Sequence, residues 1–177
     1  GPAERSCCSA RRRREALAAR RVRGRRRDVR ALNVRRCERP EPGWLALRAA
    51  LWPQASATMH REDALALLAS DEQVVVVGEV EGQLVGFAEA SLRHEHVNGT
   101  SSSPVAFLEG LYVAPAARGR GIGRHLVEAV EAWAHGLGCR ELASDALADN
   151  EVGIRTHLAI GFEVTERVVF FRKPLDR

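Results

Sequence analysis

The sequence predicts a single α/β domain, a mixed central sheet flanked by helices, spanning residues 31–177 behind an arginine-rich extension at residues 1–30. Three observations predict it. Strand-like and helix-like segments interleave in the order β-α-α-β-β-β-α-β-α-β, with neither an internal repeat nor a linker to divide them. The turn Glu81-Gly82-Gln83 joins two apolar runs as a hairpin. A third apolar run, Val105 to Val113, enters the glycine string Arg118-Gly119-Arg120-Gly121-Ile122-Gly123, and a long amphipathic helix leaves it.

Charge separates the extension from the domain. Residues 1–40 hold 15 arginines against Glu4, Glu15, Asp28 and Glu38, a net charge of +11, while residues 41–177 hold 12 basic and 19 acidic residues, a net −7. The whole-chain charge of +4 therefore conceals an acidic domain. An arginine block of this kind reads as a solvated arm without a catalytic role, contact with nucleic acid being its less common use. Glu15 to Arg30 has helix-forming residues but no continuous apolar face.

Within the domain, Ala31 to Cys37 alternates as a first strand, ended by Pro40 and Pro42. Gly43 to Trp52 reads as a helix with Trp44, Leu47 and Leu51 on one side, stopped by Pro53. Arg61 to Ala69 is a second, short helix. Gln73 to Val80 and Leu84 to Leu92 are the hairpin strands, and His94 to Pro104 is a polar, Gly/Ser-rich loop before the strand Val105 to Val113. From Gly121 to Leu137, apolar residues recur at helical spacing through Ile122, Leu126, Val130 and Trp133. Arg140 to Ser144 reads as a strand, Asn150 to Ile160 as a helix capped by Gly161, and Val164 to Phe171 as the last strand.

Several classes are excluded at this point. No apolar run approaches the roughly 20 residues of a bilayer-spanning helix, and the arginine-rich start lacks the apolar stretch of a secretory signal. Gly1-Pro2 reads as a protease-cleavage scar. The expectation is a cytoplasmic protein. Cys7, Cys8, Cys37 and Cys139 show no zinc spacing and read as free thiols in a reducing compartment. His94-Glu95-His96 has no third ligand at a suitable spacing, so no metal is expected.

Glycines that follow a strand and open a helix suit a phosphate. They remove Cβ atoms where backbone N–H groups converge on an anion, and the helix adds its positive N-terminal end. A Walker loop requires Gly-Lys-Ser/Thr, but Gly123 is followed by Arg124-His125. A dinucleotide fingerprint requires Gly-x-Gly-x-x-Gly, but Gly119, Gly121 and Gly123 are separated by single residues. Arg118 to Gly123 does read Arg-x-x-Gly-x-Gly after a strand ending Leu111-Tyr112-Val113-Ala114-Pro115. In this it resembles the acetyl-CoA signature of the GCN5-related N-acetyltransferase (GNAT) superfamily.

From Leu45 onward the chain is similar to one branch of that superfamily, the bacterial aminoglycoside 6'-N-acetyltransferases. The resemblance rests on Leu51-Trp52-Pro53, Gly86-Phe87-Ala88-Glu89-Ala90-Ser91, Arg93-His94, Val97-Asn98-Gly99, Ser102-Ser103-Pro104, Phe107-Leu108-Glu109-Gly110, Ala143-Ser144-Asp145 and Gly161-Phe162-Glu163. It implies the GNAT acyl-CoA N-acyltransferase fold and acetyl-CoA as donor. It also implies that backbone groups of Leu111, Tyr112 and Val113 pair with the pantetheine arm and polarise the thioester carbonyl. The amides of Arg118, Gly119, Arg120, Gly121, Ile122 and Gly123 would hold the pyrophosphate, and Asn150 would bond the pantetheine. His157 stands where much of the superfamily has a tyrosine that protonates the departing thiolate. A homodimer is a further implication.

Acetylating an amine requires its neutral form, because an ammonium has no lone pair to offer. A neighbouring carboxylate serves this chemistry by binding the cation and then receiving its proton. Glu109, an acid in an otherwise apolar strand two residues before Leu111, is the leading candidate, and Asp145 is the second. The resemblance adds acceptor-site positions at Trp52, His96, Glu109, Asp145 and Glu166, an acidic and aromatic set suited to a polycationic sugar. Direct attack is expected, since no cysteine lies near the thioester site. Two alternatives stay open: an acetyltransferase for a polyamine or peptide amine, and a nucleic-acid-binding module acting through the basic arm.

Overall fold

The computed structural model describes residues 32–175. Five strands, β1 (Leu32–Arg36), β2 (Gln73–Val80), β3 (Gln83–Arg93), β4 (Val105–Val113) and β5 (Leu142–Ser144), form one sheet in sequence order. β1 to β4 pair antiparallel, and β5 joins β4 in parallel. The expectations for the arginine-rich arm, for a helix over residues 15–30 and for Cys7 and Cys8 lie outside the described residues.

Val74, Val75, Val76 and Val77 are all buried, so β2 is covered on both faces. Val75 and Val77 pack with Trp44 and Leu47 of α1 (Pro42–Leu51) and with Ala64 of α2 (Ala57–Leu68). Val74 and Val76 pack on the opposite face with Ile122, Leu126, Val127 and Val130 of α3 (Ile122–Gly136). A last helix, α4 (Glu151–Ile160), is capped by Asn150, whose side chain accepts from Gly153 N, and is closed by Gly161. The predicted mixed sheet flanked by helices is the observed architecture.

The hairpin forms as expected. Glu81 (φ 52°) and Gly82 (φ 79°) supply the two left-handed residues between β2 and β3, the pattern of a type I′ turn. Boundaries elsewhere move. Pro42 begins α1 rather than ending the preceding segment, as a proline without an N–H can at the first helical position. α2 starts at Ala57, four residues before the predicted Arg61, because Ser56 accepts from Met59 N at 3.2 Å as an N-cap. β5 is shorter than Arg140 to Ser144.

The predicted last strand is a correction. Residues 164–171 form no strand, and Val169, Phe170 and Phe171 are exposed. Apolar alternation describes a segment suited to a sheet, but a strand exists only where a neighbour completes its hydrogen bonds. Within the described residues no neighbour pairs with this one.

Candidate active site

The site begins with an irregularity in β4. Opposite β3, Glu89 pairs with Gly110 and Ala90 with Leu108, so Glu109 is the extra residue of a β-bulge. On its other side β4 pairs with β5 only from Ala106 to Leu108, opposite Leu142 to Ser144. Beyond Leu108 the two strands part, and the β5-facing edge of Leu111 to Val113 is left outside the ladder. That edge is the kind of surface on which an extended, amide-bearing chain such as pantetheine adds as a further strand.

Glu109 stands at this fork and is exposed. Its Oε1 accepts from Ser91 Oγ at 2.5 Å and from Arg93 Nη2 at 2.9 Å, while Oε2 has no hydrogen-bond partner among the described residues. Arg93 is itself held with its guanidinium 3.4 Å from the centroid of the Phe107 ring. One carboxylate oxygen is thus anchored and the other is free of hydrogen-bond partners among the described residues.

Trp52, just past the end of α1, lies across β4 at Gly110. A Cβ on Gly110 would fall 2.6 Å from Trp52 Cη2, so only glycine admits the indole there. Phe87 abuts the same ring, with centroids 6.0 Å apart at 57°. The predicted aromatic wall and the predicted carboxylate therefore adjoin each other along one strand.

Across the fork, Ser144 ends β5 opposite Leu108, and the exposed Asp145 leaves the sheet directly after it. His157, one turn from the end of α4, points back to the same place: Nε2 is 3.0 Å from Ser144 Oγ and Nδ1 is 2.8 Å from the Gly153 carbonyl oxygen. Ser144 Oγ also lies 3.0 Å from the Leu108 carbonyl oxygen. Asn150 spends its side-chain oxygen on the α4 cap, and its NH2 group has no hydrogen-bond partner among the described residues.

The glycine string follows a short 3-10 turn, Pro115–Ala117, and leads into α3. Gly119 (φ 74°) and Gly121 (φ 80°) adopt the left-handed conformation, and nothing lies within 4 Å of where their Cβ atoms would be. Gly121 is the N-cap of α3, with no side chain over the first amides. An open loop with Cβ-free positions at Gly119 and Gly121, at the N-terminus of a fifteen-residue helix, fits a pyrophosphate. Arg118 is partly committed elsewhere, donating from Nε to the Val113 carbonyl at 2.8 Å.

His96 and Glu166 are exposed and are not brought against Glu109 by any hydrogen bond or ion pair. Their segments nonetheless meet, since Thr165 seats against Gly99. The loop between β3 and β4 is tied to the sheet by Glu141, which accepts from Ser101 N at 3.0 Å and from the Ser102 hydroxyl. Those bonds hold the Glu141 carboxyl below its ordinary pKa, the Ser102 hydroxyl contributing most. A cleft of about 310 Å³ lies between this loop and Gly161 to Glu163, touching Ser144 at its inner end. It borders the fork, and its lining does not include Trp52 or Glu109.

Neither described cysteine is suited to nucleophilic work. Burial pushes the Cys37 thiol up to about 11 and also raises that of Cys139. Among the described residues no cluster of histidine, cysteine or carboxylate side chains could hold a metal.

Sequence reasoning missed Arg48, Glu89 and Ser144. Arg48 and Glu89 are both buried and ion-paired, and Trp44 Nε1 donates to Glu89 Oε1 at 2.8 Å. Burial raises the Glu89 pKa against the opposing pull of Arg48 and Trp44. The signal was present: an arginine four residues after Trp44 on an apolar helix face, and a glutamate within a buried strand, are opposite charges that each need a partner.

Comparison with known proteins agrees with this geometry. Residues 37–162 match the acetyltransferase (GNAT) family. The aminoglycoside N(6')-acetyltransferase type 1 of Salmonella enteritidis is 42% identical over 146 residues, covering 82% of this chain and 98% of the relative. That of Stenotrophomonas maltophilia is 50% identical over 133 residues, covering 75% and 86%. Among solved structures, AAC(6')-Iy in complex with the bisubstrate analog CoA-S-monomethyl-acetylneamine superposes with a TM-score of 0.78 at 41% identity, covering 81% of this chain and 99% of that one. The chain belongs to the GNAT acetyltransferase family, and within it is similar to the aminoglycoside N(6')-acetyltransferases.

Proposed function

We propose that this protein is an aminoglycoside 6'-N-acetyltransferase, moving an acetyl group from acetyl-CoA to the 6'-amine of an aminoglycoside and so conferring resistance to the drug. The observation that carries this reading is Trp52 laid over Gly110 beside the open carboxylate oxygen of Glu109, at the fork where the β4 edge is free. An apolar wall next to an acid suits an aminosugar, which offers a hydrophobic ring face and an ammonium. The acidic domain favours the approach of a polycation.

Acetyl-CoA supplies the activated acyl group when bound. The amides of Arg118 to Gly123 hold its pyrophosphate, the edge of Leu111 to Val113 aligns the pantetheine, and the Asn150 NH2 group adds a hydrogen bond. On the acceptor side Trp52 covers the sugar, Glu109 and Asp145 bind the amine, and His96 and Glu166 extend the rim. Glu109 Oε2 receives the proton that the amine must lose as the C–N bond forms. His157, held by Ser144 at the fork, returns a proton to the sulfur as the C–S bond breaks. The transfer is direct, in keeping with the buried, poorly nucleophilic thiols.

The protein works as a cytoplasmic homodimer in this reading. Support for the dimer is the exposed apolar segment Val164 to Phe171 together with β5, which lies at the end of the sheet order. Light scattering of the protein with and without residues 164–177 tests it: loss of a dimer on truncation is expected, and a monomeric full chain would refute it.

The activity test is CoA release with kanamycin or tobramycin, set against spermidine and basic peptides. Preferential turnover of the aminoglycosides is expected. Equal or better turnover of spermidine or peptide would replace the assignment with a polyamine or protein acetyltransferase.

A further inference from the structure

Trp44, Arg48 and Trp52 follow one another at four-residue spacing, and the Arg48 guanidinium stands between the two indoles, 5.7 Å from the Trp44 centroid and 4.9 Å from that of Trp52. Arg48 does not reach solvent; it ion-pairs with buried Glu89 and, at 3.3 Å, with Asp63 of α2. Its Nε has no hydrogen-bond partner among the described residues. Glu89 in turn lies directly opposite Gly110 in the β3–β4 register. The buried charge pair is therefore anchored to one strand while the indole it supports lies across the next, one residue from Glu109.

A buried ion pair is weak evidence of stability, because desolvating two charges offsets their attraction. Its best-supported use is to select one arrangement over others. Here the arrangement selected is that of Trp52. The indole follows the last residue of α1 and is followed by Pro53 in an irregular segment, so the helix ladder alone does not fix its tilt. Guanidinium contact on the ring and the missing Cβ at Gly110 limit it from both directions.

We propose that the Arg48–Glu89 pair and Gly110 form a clamp that sets Trp52 against the acceptor, making Arg48 a positioning residue and Gly110 a specificity-determining position. This rests on the aminoglycoside reading above, deepening it at the same site. The clamp acts on acceptor geometry, since Arg48's hydrogen-bond, ion-pair and ring partners among the described residues are Glu89, Asp63, Trp44 and Trp52, none of them in the donor loop or in Leu111 to Val113. A ring displaced by an ångström misplaces the sugar amine relative to Glu109 Oε2, which affects both acceptor binding and turnover.

Arg48→Met alone strands a buried carboxylate and destabilises the fold, so the informative variant is Arg48→Met with Glu89→Gln, which removes both charges and leaves Trp44 an acceptor. The double variant is expected to keep a wild-type melting transition and a KM for acetyl-CoA within about twofold. Its KM for kanamycin should rise about tenfold or more. Adding Trp52→Ala to it should cost far less than Trp52→Ala costs the wild type, because both changes remove the same wall. Gly110→Ala should raise the kanamycin KM by a comparable factor with the ion pair intact. Acrylamide quenching in a Trp133→Phe background reads the ring directly, Trp44 being fully buried; the double variant should expose Trp52 to quencher. Unchanged quenching, an unchanged kanamycin KM in the folded double variant, or independent additivity with Trp52→Ala would each overturn the clamp. A wild-type enzyme that does not turn over kanamycin would instead defeat the functional reading, and the quenching experiment would still report on the clamp.

Discussion

His157 Nε2 lies 3.0 Å from Ser144 Oγ, and the same hydroxyl lies 3.0 Å from the carbonyl oxygen of Leu108, the last β4 residue paired with β5. A carbonyl oxygen only accepts, so Nδ1, facing the Gly153 carbonyl, carries a hydrogen, and Nε2 is the nitrogen turned toward the fork. Ser144 holds the imidazole in that orientation. Ser144→Ala should lower kcat about tenfold with little change in the KM for acetyl-CoA, and His157→Phe should lower it further. Steady-state kinetics with both substrates checks this; an effect confined to the acetyl-CoA KM would make His157 a binding residue.

Glu109→Gln retains the shape of the side chain and its bonds to Ser91 and Arg93 but cannot accept a proton. A fall in kcat of about 100-fold is expected, with the melting temperature unchanged. Kinetics within a few-fold of wild type would assign the amine proton to another group, Asp145 being next in line.

Gly121→Ala places a Cβ on a residue at φ 80° and tightens the turn at the start of α3. The strain of about 1 kcal/mol falls on the loop assigned to the pyrophosphate. The KM for acetyl-CoA should rise about five- to tenfold while the KM for the aminoglycoside stays constant, measured by varying each substrate at saturation of the other.

His60 of α2 is buried, and neither ring nitrogen has a hydrogen-bond partner among the described residues. Replacing it by Leu removes two unsatisfied polar atoms from the α2 face of the domain. A gain of about 1 kcal/mol is expected, read as a higher midpoint in urea unfolding; a loss would mean that water satisfies the ring.

Arg35 meets Glu41 through two bonds of 2.8 Å, and this pairing holds the Glu41 carboxyl below its ordinary value of 4.5. A carboxyl whose folded pKa is depressed contributes stability that is complete above the unfolded value and is lost as pH falls through the folded one. The contribution, about 1 kcal/mol for a half-exposed bidentate pair, should therefore be present at neutral pH and disappear below pH 4.5. Urea midpoints of wild type and Glu41→Gln should differ at pH 7 and converge in acid.

Much of the candidate site was legible because local patterns carry it. The strand, the alternating glycines and the helix that follows mark a candidate phosphate turn by backbone requirements alone. Trp52 and Glu109 were found through the motifs around them, and the structure brings both to one strand. Ser144, Arg48 and Gly110 were not found, because their roles depend on what faces them from distant parts of the chain.

The sequence by itself determined the order of the elements from β1 to α4, the hairpin, the glycine turn before a helix and the acidic charge of the domain. These follow from φ preferences, periodicity and charge, all properties of neighbours in the chain. The tertiary structure alone decided that β4 bulges at Glu109, that β5 leaves it after Leu108, that a buried Arg48–Glu89 pair lies beneath Trp52, and that Val164 to Phe171 forms no strand. Each depends on register or on contact between residues tens of positions apart, and a hydrogen-bond ladder or an ion pair exists only when both partners are in place.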